Sequence, residues 1–166
     1  MELKLSASYD ATPEEVFAMV SDITFREQAC EKTKALSYAV KVSESGGDTA
    51  VHVQREMPAK NIPDFARKFV GQTLTLVQTE TWHPANADGS RDADVQGEIS
   101  GTPVMLKGTA RIAAEGDGKA VHSIDLAVTV AVPLIGRRME PFVADAIRSG
   151  LQKEHELGRS WHDGLN

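Results

Sequence analysis

The sequence predicts an α+β chain: a seven-stranded curved antiparallel sheet wrapped around a long C-terminal helix, with two short helices after strand 1. Three observations predict it. Apolar and polar residues alternate with a period of two in seven separate stretches. Gly/Asp clusters of the kind that reverse a strand stand between stretches, at Ser45-Gly46-Gly47-Asp48, Ala87-Asp88-Gly89-Ser90 and Glu115-Gly116-Asp117-Gly118. After Pro133-Leu134-Ile135-Gly136 the apolar period changes to that of a helix.

The strands follow in order. Leu3, Leu5, Ala7 and Tyr9 alternate with Glu2, Lys4, Ser6 and Ser8. Leu36, Tyr38, Val40 and Val42 form the second inward row, and Val51, Val53, Arg55 and Met57 the third. In the fourth stretch Leu74, Leu76, Gln78, Glu80 and Trp82 share one face, backed by the β-branched ladder Thr73, Thr75, Val77, Thr79 and Thr81. The remaining inward rows are Ala93, Val95, Gly97 and Ile99; Val104, Leu106, Gly108, Ala110 and Ile112; and His122, Ile124, Leu126, Val128 and Val130. A sheet with one face for a core and one for water is the antiparallel pattern.

Thr12-Pro13-Glu14-Glu15 reads as a helix start, with Thr12 as N-cap, Pro13 in the first position and Glu15 as capping-box partner. A second short helix is expected over residues 22–32. The long helix is expected from about residue 138 to about 161, with Met139, Phe142, Val143, Ala146, Ile147, Gly150 and Leu151 on one face, continued by Leu157 and Trp161. Arg148, Lys153, Glu154, Glu156 and Arg159 are assigned to its solvent side. One amphipathic rod covering the concave face of a sheet satisfies the two-layer rule, and the splay between them makes a cavity natural. The whole chain, 1–166, is read as one domain.

Composition narrows the function. Acids outnumber bases 24 to 18, for a net charge of −6, which disfavours a nucleic-acid partner. The lone Cys30 cannot bridge within the chain and reads as a small buried residue. No secretory pattern opens the sequence and no apolar run approaches the ~20 residues of a membrane helix, so a cytoplasmic location without stable membrane insertion is expected. The five histidines lack metal-ligand spacing: His155 and His162 stand seven apart on one helix and are assigned to a solvated helix end, and neither metal nor cofactor is expected. No Gly-x-Ser-x-Gly elbow is present. Gly150 reads as a site of close helix–sheet approach or a bend.

The order strand, two short helices, six strands and one long helix resembles the helix-grip fold of START domains, the birch-pollen allergen family and polyketide aromatase/cyclases. Ile62-Pro63-Asp64-Phe65-Ala66-Arg67-Lys68-Phe69-Val70-Gly71, with Gln78-Thr79-Glu80-Thr81-Trp82, Gly101-Thr102-Pro103-Val104 and Val132-Pro133-Leu134-Ile135-Gly136, is similar to an uncharacterised, largely actinobacterial family in that superfamily. The resemblance implies a tunnel between helix and sheet that accepts an apolar small molecule.

Polar residues on inward rows are the informative ones, namely Tyr9, Tyr38, Arg55, Gln78, Glu80 and His122, because a buried charge must be paired, hydrated or ligand-bound. Two readings are open for Arg55 and Glu80: the polar end of an apolar pocket, or an ion pair at a solvated sheet rim. His122, beside a turn, is expected to be exposed. The expected ligand-binding set is Tyr38, Arg55, Leu76, Gln78, Glu80, Trp82, Val95, Ile99, Leu106, Met139, Phe142 and Val143, with Trp82 and Met139 toward a pocket end. Three functions follow. The leading one is binding or transport of a lipid, isoprenoid or polyketide-like molecule. The others are a cyclase, dehydratase or hydrolase using Glu80, Tyr38 or His122, and a partner-interaction module with a filled core. Residues 62–70 read as a lid, as a cationic amphipathic patch or as a connecting helix. Oligomeric state is left open.

Overall fold

The computed structural model describes residues 1–60 and 62–163; the last three residues of the expected 1–166 unit lie outside them. β1 (Glu2–Tyr9) leads into α1 (Pro13–Val20) and α2 (Ile23–Lys32). β2 (Ser37–Ser45), β3 (Asp48–Pro58), a 3₁₀ helix (Asp64–Phe69), β4 (Thr73–Trp82), β5 (Arg91–Ile99), β6 (Val104–Ala114) and β7 (Ala120–Val130) follow. α3 (Gly136–Asp163) is the last element, 28 residues long, about 42 Å at 1.5 Å per residue.

All seven strands form one antiparallel sheet in the order β1-β7-β6-β5-β4-β3-β2. The meander from β2 to β7 is extended by β1 pairing with β7, Leu3 opposite Leu126 and Ala7 opposite His122. The inward rows continue across strands in register: Val51, Glu80, Val95, Gly108 and Leu126 lie in one line. Gly108 is a backbone requirement, because a Cβ there would run into the Asp125 carbonyl oxygen on β7.

α1 starts as the sequence dictates: Thr12 Oγ1 accepts from the Glu15 N–H while Glu15 Oε1 accepts from the Thr12 N–H. In α2 the Asp22 carboxylate accepts from the Phe25 N–H at 2.9 Å. α3 packs on β1, β7 and α2. It is seated tightly at both ends: Gly158 leaves no room for a side chain against the Tyr9 ring, 2.8 Å from where a Cβ would stand, and Gly136 none against the Val130 carbonyl of β7. The main core (Leu3, Val16, Phe25, Val51, Trp82, Ile112 and their neighbours) fills the Gly158 end. A second cluster at the other end brings Ala66 of the 3₁₀ helix against Val104, Val130 and Met139. No helix is long and apolar enough to cross a membrane, among the described residues.

Candidate functional site

Between the two clusters α3 stands clear of the sheet, leaving a cavity of about 580 Å³. Its walls come from the inward rows of β3 to β7 and from α3 between Met139 and Glu154. Phe142 and Glu154, both lining residues, are twelve positions apart on that helix, so the space extends roughly 18 Å along it. Arg55, Leu76, Gln78, Glu80, Val95, Ile99, Leu106, Met139, Phe142 and Val143 all line this cavity. The mouth is formed by Ile62, Pro63, Ala66, Phe69 and Val70 against Met139 and Phe142. Phe65 meets Phe142 edge-to-face with ring centroids 5.9 Å apart, and the Arg138 guanidinium lies over Phe65 at 4.7 Å. Residues 62–70 therefore wall the opening. Phe142 is half exposed there, and Asp145, Ala146 and Lys60 complete the rim.

Tyr38 and Trp82 stand outside. α2 covers the edge strand β2, so the Tyr38 hydroxyl ends on Glu31 of that helix instead of in the cavity. That hydrogen bond to a carboxylate, with burial, pushes its pKa up to about 12. Trp82 is fully buried behind Glu80, packed edge-on against Phe17 of α1. It closes the space and is not reached from it.

The inner end is polar, and Arg26 organises it. This α2 guanidinium is 1% exposed. Its Nε donates to the Val20 carbonyl at 2.6 Å, Nη1 to Glu154 Oε1 at 2.9 Å and Nη2 to Glu80 Oε1 at 2.6 Å. Glu80 also accepts from Trp82 Nε1 at 3.0 Å and from Gln78 Nε2 at 2.7 Å. Burial opposes the charge on Arg26 and on Glu80. The two carboxylates outweigh it at Arg26 and hold that pKa above its ordinary value, while Arg26 outweighs it at Glu80 and holds the carboxyl below its own. Four elements (α1, α2, β4 and α3) are tied at one point.

Arg55 and Glu80 both line the polar part of the cavity, and they are not the solvated rim ion pair of the second reading. Glu80 is buried with Arg26, and Arg55, 8% exposed, donates to Thr33 Oγ1 at 3.2 Å where α2 ends. There the last helical carbonyls favour a cation. Arg55, Glu80 and Tyr38 do not converge on one point. Glu154, assigned to solvent, is 9% exposed and faces Arg26. Sequence reasoning misses Arg26 itself, although Arg26, Ala29, Cys30 and Thr33 form the buried stripe of α2. The available signal is its position on that stripe, which the residue type obscures.

Three histidines expected at the surface are buried. His122 is 4% exposed, lines the cavity, and neither ring nitrogen has a partner among the described residues. Burial holds its pKa down to about 3, so the ring is neutral. His155 and His162, 6% and 5% exposed, flank Tyr9, and burial lowers the pKa of both. The α3 face continues through 154, 155, 158 and 162, so they belong to its buried side. No group of three His, Cys, Asp or Glu among the described residues is placed to hold a metal. Gly150 lines the cavity with open space at its Cβ position, so close approach is not its role.

Comparison with known proteins places this architecture. A START superfamily protein from Mycobacterium smegmatis superposes with a TM-score of 0.59 at 15% identity, over 99% of this chain and 99% of that one. The lipid transfer and protein localization domain of human StarD13 (DLC2) gives 0.60 at 12% identity, over 96% and 75%. The protein TTHA0849 from Thermus thermophilus gives 0.59 at 16%, over 95% and 96%. No curated protein matches by sequence. These likenesses share the helix-grip fold, as the element order predicts. A family model described as a protein of unknown function, DUF2505, matches residues 4–161, and the chain belongs to that family.

Proposed function

We propose that the protein binds and carries an apolar or amphipathic small molecule, lipid, isoprenoid or polyketide-like, in the cavity between α3 and the sheet, and does so in the cytoplasm. One observation carries the reading. A cavity of about 580 Å³ with aliphatic and aromatic walls runs from an open mouth to a buried polar floor, the size and composition of a small-molecule site. Apolar walls supply affinity through burial, ~0.8 kcal/mol for each methylene removed from water. The polar floor supplies orientation. The named lipid transfer domain among the similar structures supports the class of ligand for that protein, and by fold for this one. Cys30, the one cysteine, is free and buried, in keeping with a reducing compartment.

Native mass spectrometry of protein purified from its own host tests the proposal. A co-purified small molecule released by organic solvent, and saturable uptake of N-phenyl-1-naphthylamine by the stripped protein, are the expected results. Protein that arrives bare and takes up no probe at micromolar concentrations would overturn the carrier reading.

A further inference from the structure

We infer that the molecule held in the cavity ends in an uncharged hydroxyl, and that this hydroxyl docks on His122. The inference rests on the carrier reading above and names the polar end of its ligand.

The starting point is an unmet demand. A neutral imidazole carries one N–H donor and one acceptor nitrogen. His122 is 4% exposed, borders the cavity, and leaves both unpaired among the described residues. Buried polar groups are nearly always satisfied, so the exception points to a partner that comes from elsewhere. The ring is held on two sides, by Trp82 with centroids 6.0 Å apart and by His155 at 5.6 Å. His122 lines the cavity, whereas His155 and His162, each with an Nε2 unpartnered among the described residues as well, do not. The carboxylates at this end are committed: Glu80 to Arg26, Gln78 and Trp82, and Glu154 to Arg26.

Charge selects the kind of partner. At the inner end Arg26 and Arg55 stand against two carboxylates, Glu80 and Glu154, so the fixed charges there cancel. A carboxylate or phosphate head would upset that balance, with the cavity-lining Arg55 as its partner. An ammonium head would upset it in the opposite sense, at Glu154. A hydroxyl donates and accepts at once and brings no charge, so it suits an imidazole with both capacities unused.

Displacement of N-phenyl-1-naphthylamine from the full chain by 1-dodecanol and by dodecanoate, two amphiphiles with the same tail, tests this. The alcohol is expected to displace the probe at about tenfold lower concentration than the acid, ~1.4 kcal/mol. His122→Phe is expected to weaken the alcohol about tenfold and the acid by clearly less, so that the preference for the alcohol disappears. His122→Asn, which keeps a donor and an acceptor, is expected to recover most of the loss, and thermal melts establish that both variants fold. Equal displacement by alcohol and acid, or a preference that survives His122→Phe, overturns the inference and leaves the carrier reading standing; the histidine then holds only water. Tighter binding of dodecanoate that is lost in Arg55→Met overturns it as well and moves the head group to Arg55. Failure of the probe and of both amphiphiles to bind overturns the inference together with the carrier reading.

Discussion

Replacing Arg26 by Met leaves two buried carboxylates without their cation. Met matches the aliphatic stem of Arg in length, so packing changes little and the charge effect stands alone. Three short hydrogen bonds disappear, to the Val20 carbonyl at 2.6 Å, Glu154 at 2.9 Å and Glu80 at 2.6 Å. Hydrogen bonds to charged groups contribute ~1.5–3 kcal/mol each. The net loss is smaller than their sum, because the desolvation of Arg26 is also relieved, and breaking one side of a buried pair costs about 3–5 kcal/mol. Against a domain stability of roughly 5–15 kcal/mol this is a large share. Urea denaturation at pH 7, followed by far-UV circular dichroism, is expected to show a midpoint far below wild type or no folded baseline. The triple variant Arg26→Met, Glu80→Gln, Glu154→Gln is expected to recover a substantial part of the loss, since no unpaired charge remains inside. A single variant within about 1 kcal/mol of wild type, or a triple variant no better than the single, would refute the claim that this network is buried and mutually dependent.

Acid should destabilise the protein well above the ordinary carboxylate range. The folded pKa of His122, about 3, lies below the ordinary 6.5, so the unfolded chain binds the extra proton first; the stability tied to the neutral ring is complete above pH 6.5, declines as pH falls below it, and is fully lost at about 3. For this residue alone the linkage amounts to about 2 kcal/mol at pH 5, with His155 and His162 adding in the same direction. Denaturation midpoints unchanged between pH 7 and pH 5 would count against it, and His122→Phe should flatten the dependence. Gly150→Ala is expected to stabilise α3 by about 0.5–1 kcal/mol, because the added methyl enters open cavity space. A lowered melting temperature would show that the helix is closer to the sheet than described.

The strands were legible because each buries one face, and alternation at a period of two survives even where Gln78 or Glu80 interrupts it. The α1 start was legible because its cap is written in consecutive residues. The cavity-facing rows of β3 to β6 followed from the same alternation, which fixes which side chains share a face without stating whether the space between them is filled. Arg26, Glu154, His155 and His162 were hidden for a different reason. Their positions mark them as inward, at i, i+3 and i+4 along α2 and α3, but charged and ionisable residues are usually solvated. For Arg26, partners 54 and 128 residues away decide otherwise. Tyr38 and Trp82 share faces with lining residues yet fall beyond the ends of the space, because α2 covers one and α1 the other. Alternation assigns a side; it does not say how far along that side the void extends.

Gly158 lets the far end of α3 rest directly on Tyr9, and Gly136 seats its start on the Val130 carbonyl. Between these two seats rod and sheet part, with the ionic knot toward one end of the gap and the 3₁₀ helix beside the other. On the carrier proposal, substitutions at Ile62, Phe69 and Phe142 would retune which molecules enter without touching the ionic knot. Cargo preference and thermal endurance would then be set at opposite ends of one helix.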